Sequence, residues 1–180
     1  MTAPEPQLDR ESIMRALRRL ADRLAYRGVV ADLYVFGGAA MALAYDARRS
    51  TRDIDALVEP HGIVFAEAAA VALELGLPKW WLNEQASAYV TRAEDTEAPL
   101  VFDHPGLRVH AASPRHLLAM KIMASRRRDA VDITTLATRL GLTTVDEVLA
   151  IGSEVFPDEP IPDRARLLVE DALGAGPEPA

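Results

Sequence analysis

The sequence predicts an α/β protein of the α+β type, with a small mixed β-sheet and flanking helices followed by a helical C-terminal part. Short apolar runs typical of strands alternate with helical patterns through residue 112. Beyond that point only helical patterns follow. Alanine and leucine dominate, and aromatic residues make up only 6% of the chain, which favours helices over a β-sandwich.

The elements of the first 76 residues follow from local patterns. Leucine and isoleucine recur at helical spacing between arginines in the first segment, and two glycines end the first strand. Pro60 and Gly62 break the chain after the second strand, and Gly76 stops the next helix. The predicted order is a helix at 9–27, a strand at 31–36, a helix from Gly37-Gly38, a loop at 47–51, a strand at 52–59 and a helix at 63–76.

The second half begins with a segment of unclear period, KWWLNEQASAYV at 79–90, for which we predict a short helix or turn followed by irregular chain. Two short strands then meet at His104-Pro105-Gly106. Ser113 and Pro114 are the N-cap and first residue of a helix. The remaining predictions are strands at 99–104 and 106–112 and helices at 113–125, at 128–140, after Thr143 or Thr144, and at 160–173.

These elements predict two parts and a tail. Residues 1–112 form the core, residues 113–174 form a helical part packed on that core, and residues 175–180 form a disordered tail. The length of 180 residues fits one domain, or one domain with a small helical appendage.

Composition narrows the function classes. The chain has no cysteine, which excludes disulfides, thiolate catalysis and cysteine-ligated zinc. The polar N-terminus lacks a signal-peptide core, and the longest apolar stretch is too short to span a bilayer, so we expect a cytoplasmic protein without membrane contact. The net charge is −7, yet residues 101–140 carry seven basic against three acidic side chains, a local surplus suited to an anion.

Two aspartates mark the predicted second strand. Asp53 and Asp55 are residues i and i+2, so their side chains share a face, about 7 Å apart along the strand. Two carboxylates with this spacing suit Mg²⁺, which prefers hard oxygen ligands and commonly binds substrate phosphates as well. Pairing with the neighbouring arginines, Arg48, Arg49 and Arg52, is the alternative interpretation.

A glycine turn, Gly37-Gly38, lies upstream of this carboxylate pair. Its backbone N–H groups can approach an anion because no side chain intervenes. A glycine turn for phosphate beside carboxylates for a metal is the basic apparatus of phosphoryl or nucleotidyl transfer. Taken alone, the two glycines are equally consistent with an ordinary strand-to-helix turn.

The order of the motifs resembles a known superfamily. Gly37-Gly38, Ser50-Thr51 and Asp53-Ile54-Asp55 resemble the signature of polymerase-β-like nucleotidyltransferases. Downstream, LLAMKIMASRRRDAVDI at 117–133 resembles the Lys-x-x-Ala and Arg…Asp-x-x-Asp segment of AbiEii-like nucleotidyltransferase toxins and related uncharacterised bacterial families. The segment WWLNEQA at 80–86 is similar to one in those uncharacterised relatives.

The resemblance implies a nucleotidyltransferase-like fold and an enzyme dependent on Mg²⁺ or Mn²⁺. Such an enzyme moves a nucleoside monophosphate from an NTP to a hydroxyl group of RNA, such as a tRNA 3′ end, or of a protein. The resemblance further implies the toxin of a toxin–antitoxin pair, with a cognate antitoxin as partner. The alternatives are a catalytically weakened nucleotide- or partner-binding module and an antitoxin-like regulator.

By the same resemblance, the expected site residues divide by role. Asp53 and Asp55 are the expected metal ligands and catalytic residues. Lys121 is expected to contact phosphate, while Asp129 or Asp132 orients Lys121 or positions the acceptor. The full expected set comprises catalytic Asp53, Asp55, Lys121 and Asp132, and nucleotide-binding Gly37, Gly38, Thr51, Lys121 and Asp129.

One departure from the superfamily pattern concerns a third carboxylate. Many members carry it on a strand neighbouring the Asp-x-Asp strand. We expect the strand at 107–111 to take that place, where Arg108 and His110 stand instead of an acid. Asp103 is the nearest substitute. This departure is the main argument for the catalytically weakened alternative.

Overall fold

The structure, a computed structural model, describes residues 7–46 and 49–174. The chain divides into two compact units. The first comprises Met1–Ala88 and Ala98–Ala111, and the second comprises Tyr89–Glu97 and Ala112–Ala180. The segment Tyr89–Glu97 therefore leaves the first unit, contributes to the second and returns.

The first unit is a mixed sheet with helices. Its helical elements are α1 (Arg10–Tyr26), α2 (Gly37–Ala40), a π-helical turn (Met41–Tyr45), α3 (His61–Leu75) and a 3₁₀ turn (Ser87–Tyr89), which crosses into the second unit. Its strands are β1 (Ala31–Phe36), β2 (Ile54–Glu59), β3 (Leu82–Asn83), β4 (Leu100–His104) and β5 (Leu107–Ala111).

The strand order in the sheet is β3-β2-β1-β5-β4. The central strand β1 pairs antiparallel with β2 and parallel with β5. The short strand β3 pairs parallel with the other edge of β2, and β4 pairs antiparallel with β5. The Asp-x-Asp segment thus lies between β1 and β3, beside the end of β1 from which the glycine turn leaves.

The core of the first unit lies between the sheet and two helices. Alternate residues of the central strands are fully buried, as in Leu33 of β1 and Val109 of β5, because α1 packs on β4 and β5 and α3 packs on β2. The turn between β4 and β5 approaches α1 so closely that a β-carbon at Gly106 would lie 2.3 Å from the carbonyl oxygen of Ala21. Only glycine allows this backbone contact.

The second unit is helical. Its elements are α4 (Pro114–Ala124), a 3₁₀ turn (Arg127–Asp129), α5 (Ala130–Arg139), α6 (Val145–Val155) and α7 (Asp163–Gly174). Ser113 caps α4, and Thr144 with Glu147 forms a capping box at α6. The segment Tyr89–Glu97 is fixed to this bundle by hydrogen bonds, including one from the Thr91 hydroxyl to the Val155 carbonyl.

The predicted mixed α+β class is confirmed, with a five-stranded mixed sheet and flanking helices. The prediction for residues 79–90 is wrong in part, because a two-residue strand stands where we expected helix, turn or irregular chain. Two residues show no period, so only pairing with β2 defines this strand. The predicted division at residue 112, and the packing of the helical part on the core, stay predictions.

The disordered tail predicted at 175–180 lies outside the described residues, and so does Arg48 in the predicted loop. In the part of the chain that the structure describes, no helix is both long enough and apolar enough to cross a bilayer.

Candidate functional site

The glycine turn, Thr51 and Asp55 are brought together at one end of the sheet. Gly37 has φ +64°, and a β-carbon there would lie 3.5 Å from Asp55 Oδ2. A β-carbon at Gly38 would lie 2.8 Å from Thr51 Oγ1. Gly37 is therefore required by its left-handed backbone and Gly38 by the close approach of Thr51. The turn therefore packs against Thr51 of the loop before β2 and against Asp55 of β2.

Thr51 is fixed in this position by the chain before α1. The backbone groups of Leu8 and Thr51 exchange hydrogen bonds of 2.6 and 3.0 Å, and the Leu8 side chain is buried. Ser50 adds a hydrogen bond from its hydroxyl to the Gln7 side chain. These contacts anchor the loop and thereby set the distance between Thr51 and the glycine turn.

Asp53 lies just before β2 and is bonded to the side chain of Asn83. The Asn83 amide nitrogen donates to Asp53 Oδ2 at 2.8 Å and to the carbonyl oxygen of Trp80 at 3.1 Å. The amide oxygen of Asn83 accepts from the backbone N–H of Gln85 at 2.9 Å. Asn83 is 8% exposed, and these three bonds fix the orientation of its amide.

The strand β3 delivers Asn83 to this place. Its two residues pair in parallel with β2, and Asn83 is the partner of Asp55 in that register. The preceding Trp81 is fully buried, and its indole N–H donates to the carbonyl oxygen of Ala68 on α3. The indole thus ties the start of this segment to α3, while Asn83 itself is positioned by its own hydrogen bonds and by its pairing with β2.

The strand expected to carry the third carboxylate is elsewhere in the sheet. The strand β5 lies beside β1 and is separated by it from β2, so the expectation for Arg108 and His110 is wrong. Arg108 instead donates two hydrogen bonds of 2.8 Å to Asp32 on β1, which raise the pKa of Arg108 above its ordinary value. The strand that neighbours β2 is β3, and it presents Asn83.

The donor set at this end of the sheet fits a hard divalent cation. Asp53 and Asp55 are both partly exposed, and Asp53 has a neutral amide as its hydrogen-bond partner. Within residues 7–46 and 49–174, no group of three or more acidic, histidine or cysteine side chains is placed to hold a metal ion. Two carboxylates suffice for Mg²⁺ when substrate phosphates and water supply the other ligands.

The other predicted residues lie in the second unit and form a buried ion-pair cluster. The Lys121 ammonium lies 2.7 Å from Asp129 Oδ1 and 2.8 Å from Asp132 Oδ2. Lys121 is 5% exposed and Asp132 is 1% exposed. A buried ammonium requires such partners, because removing it from water without compensation is costly.

A basic surface follows α4 in the second unit. Arg127 and Arg128 are exposed, and the Arg126 guanidinium stacks over the ring of Tyr89 at 5.2 Å from its centroid. A guanidinium over an aromatic ring is held by a cation–π attraction. We call Tyr89 and Arg126, Arg127 and Arg128 the basic surface.

The structure therefore separates the expected residues into two groups. The first group lies at one end of the sheet, where Gly37 faces Asp55 and Gly38 faces Thr51. Asp53 belongs to the same group because it directly precedes β2. The roles expected for all these residues stay predictions. Asn83 was missed, although it lies within the WWLNEQA segment noted for its resemblance. It is the only asparagine of the chain, which was the available signal.

Comparison with protein families gives one match. A family model described as a nucleotidyltransferase of unknown function (DUF6036) matches residues 12–169. No curated protein and no solved structure matches the chain. The matched range includes the glycine turn, both aspartates and the Lys121 cluster.

Proposed function

Because the chain belongs to the nucleotidyltransferase family of unknown function DUF6036, we propose that it transfers a nucleoside monophosphate from an NTP to a hydroxyl group in a metal-dependent reaction. The observation that carries this proposal is the close approach of Gly37 to Asp55 and of Gly38 to Thr51. This proximity supports the proposal, because a glycine turn that binds phosphate beside carboxylates that bind a metal is the arrangement expected for nucleotidyl transfer.

We propose a role for each candidate site residue of the first unit. The N–H groups of Gly37 and Gly38 bind the triphosphate, since no side chain blocks the approach of its oxygens. Asp53 and Asp55 hold Mg²⁺ or Mn²⁺, which stabilises negative charge on the phosphates when bound. The Thr51 hydroxyl, packed against the turn, orients the nucleotide. The transfer forms a phosphodiester bond between the α-phosphate and the acceptor oxygen, breaks the bond between the α- and β-phosphates, and releases pyrophosphate together with the proton of the acceptor hydroxyl group.

Lys121, Asp129 and Asp132 have proposed roles from the superfamily resemblance alone. Lys121 binds phosphate, Asp132 acts in catalysis and Asp129 contacts the nucleotide. The ion pairs of Lys121 with both aspartates favour an additional structural task. The two tasks are separable by measuring stability and transfer on the same variant.

We propose an RNA acceptor, such as a tRNA 3′ end, because the basic surface offers cations beside an aromatic ring in a chain of net charge −7. Replacing Arg126, Arg127 and Arg128 with alanine should weaken RNA association. The slope of log K against log salt should become shallower by up to about 2, at roughly 0.7 per lost phosphate contact with a single strand.

Filter binding at several salt concentrations measures this slope. Exposed Arg15 and Arg18 of α1, replaced together by alanine, supply the control for a general loss of positive charge. An unchanged slope in the triple variant would favour a hydroxyl group of a protein as the acceptor.

For the biological role we propose the toxin of a toxin–antitoxin pair, with a cognate antitoxin as partner, on the resemblance to AbiEii-like toxins. A second candidate is a module that binds nucleotide or a partner without turnover, or an antitoxin-like regulator. Asn83 favours this second candidate, because a neutral amide stands opposite Asp55 on the strand next to β2.

Transfer assays separate the candidates. Purified protein is incubated with each radiolabelled NTP, Mg²⁺ and either total tRNA or cell lysate. We expect label on an RNA or protein band, lost with EDTA and in a variant carrying Asp53→Asn and Asp55→Asn. Nucleotide binding without label transfer, at every NTP and acceptor, would support the binding module instead.

A further inference from the structure

We infer that Asn83 is a positioning residue of the metal site, standing on the strand next to β2 and holding the Asp53 carboxylate by its amide. The inference rests on the proposed function, since it concerns the cation that Asp53 and Asp55 would bind. It adds a residue to which none of the expected roles was assigned.

The first argument is geometric. The backbone of Asn83 is in register with Asp55, and its side chain is bonded to Asp53 at 2.8 Å, so this residue is tied to the segment that carries both aspartates. No other residue of β3 can do this, because Leu82 is the only other member of the strand and has an apolar, buried side chain without a hydrogen-bonding group.

The second argument is the free energy that is needed to bury the Asn83 amide next to β2. Asn83 is 8% exposed, and a buried amide is tolerated only when its donors and acceptor are bonded. Both amide donors and the oxygen have partners, so the group cannot turn without losing bonds. Asp53 therefore receives a donor of fixed direction.

The chemical consequence is an orientation of Asp53. With Oδ2 engaged by the amide, the rotation of the carboxylate about its side-chain bonds is restricted, and Oδ1 is left to face a cation. Partners that orient a metal-ligating carboxylate typically contribute tenfold to a hundredfold in metal affinity. A donor amide also leaves the site with one negative charge fewer than a set of three carboxylates.

Two substitutions test this inference on the full chain, with Mn²⁺ alone as the probe. Asn83→Ala removes the hydrogen bond, and we expect a dissociation constant for Mn²⁺ at least about tenfold higher. Asn83→Asp keeps the shape but sets a carboxylate against Asp53, so repulsion should lower the melting temperature in EDTA. Mn²⁺ should relieve that repulsion and raise the melting temperature of this variant more than that of the wild type.

Trp81→Phe is the matched control. It removes a buried hydrogen bond from the same segment, to Ala68, without changing the partner of Asp53. We expect a lower melting temperature with and without Mn²⁺ and an unchanged Mn²⁺ affinity. This control distinguishes a disturbed segment from a lost contact to the carboxylate.

The outcomes separate the inference from the proposed function. A wild-type chain that binds no Mn²⁺ by electron paramagnetic resonance overturns the metal site and the inference together. Wild-type binding that Asn83→Ala leaves unchanged overturns the inference alone. If the alanine variant does not fold, Asn83→Asp decides, and an Mn²⁺-induced shift equal to that of the wild type overturns the role of Asn83.

Discussion

Aspartates occur in two contrasting settings in this protein. In the first unit, Asp53 is partly exposed and its partner is the neutral amide of Asn83. In the second unit, Asp132 is 1% exposed and its carboxylate lies 2.8 Å from the ammonium of Lys121. In the second setting the carboxylate contacts a cation of the protein, whereas the hydrogen-bond partner of Asp53 is a neutral amide.

The contrast between the two settings separates aspartates with a structural role from aspartates that are candidates for ligand binding. A buried charge that is paired within the protein satisfies a structural need, because unpaired burial is costly. By contrast, we expect a solvent-accessible carboxylate whose hydrogen-bond partner is neutral to be able to bind a cationic ligand. Removing charge should therefore affect ligand binding in the first unit and stability in the second, and the following experiments test that division.

The largest expected effect is on transfer. Replacing Asp53 and Asp55 by asparagine removes both proposed metal ligands, and a metal contributes several kcal/mol of transition-state stabilisation. At 1.36 kcal/mol per tenfold, the rate should fall by about a thousandfold or more. Rates with labelled NTP measure the loss, and circular dichroism shows whether the fold persists.

Glu59→Gln is the control for this variant, because Glu59 is an exposed carboxylate of β2, the strand that carries Asp55. It should leave the rate unchanged. Equal metal-dependent NTP binding in the double variant and the wild type would show that the two aspartates are not the metal ligands.

The second effect is on stability. Lys121→Gln leaves Asp132 buried without the ammonium, and breaking a buried ion pair costs about 3 kcal/mol, the lower end of the range because Asp129 can turn towards solvent. A loss of this size should lower the melting temperature by roughly 10 °C in a chain of this length. Thermal denaturation followed by circular dichroism measures it.

Lys79→Gln is the matched control, since Lys79 is the other lysine of the chain and is exposed. It should change the free energy of unfolding by no more than about 0.5 kcal/mol. Transfer per folded molecule then tests phosphate binding by Lys121. A Lys121→Gln variant as stable as the wild type would contradict the structural assignment of the cluster.

A third effect probes the close approach at the glycine turn. Gly38→Ala places a β-carbon 2.8 Å from Thr51 Oγ1, which forces a shift and should cost about 2 kcal/mol. Adding Thr51→Ala removes that oxygen and should restore part of the stability. Urea denaturation of the two variants gives both values.

Gly62→Ala is the comparison for this pair. A β-carbon at Gly62 would meet nothing within 4 Å, so alanine should be neutral or stabilising in α3. Equal effects of alanine at Gly38 and Gly62 would show that the contact with Thr51 does not constrain the turn.

The smallest expected effect is on the stability contributed by Glu147, whose carboxylate is bonded to backbone N–H groups. The N–H groups of Thr143 and Thr144 donate to Glu147 and lower its pKa below the ordinary value of 4.5. A lowered pKa contributes stability above the unfolded value, and that stability is lost as the pH falls through the folded pKa.

We therefore expect Glu147→Gln to melt at a lower temperature than the wild type at pH 7. The difference should shrink as the pH falls from the unfolded pKa through the lower folded pKa, and it should vanish once the carboxyl group is protonated in both states. Melting temperatures across pH 3–7 test this expectation. A constant difference down to pH 3 would show that the ionised carboxylate does not stabilise the cap.

Local chemistry made much of the fold predictable. The helix α3 ends at Gly76, which is left-handed with φ +65°, and Ser113 caps α4 ahead of Pro114 as predicted. The strand β1 has the predicted bounds. These features depend on residues that are neighbours in the chain, so the sequence contains the whole signal.

The family was predictable from short motifs as well, whereas the roles of the site residues stay predictions. Gly37, Gly38 and the Asp53–Asp55 spacing are short motifs whose order gave the family resemblance, and the family match bears out a nucleotidyltransferase family. The metal, substrate and acceptor assignments stay predictions, since they depend on ligands that no pattern of spacing identifies.

The strand order, the position of Asn83 and the burial of Lys121 depend on contacts between segments that are distant in the chain. The order β3-β2-β1-β5-β4 places Asn83, and not Arg108 or His110, on the strand beside Asp55. A two-residue strand has no period of its own and exists only because it pairs with β2. The burial of Lys121 between Asp129 and Asp132 is likewise set by helix packing, because the exposure of a long side chain depends on what surrounds it.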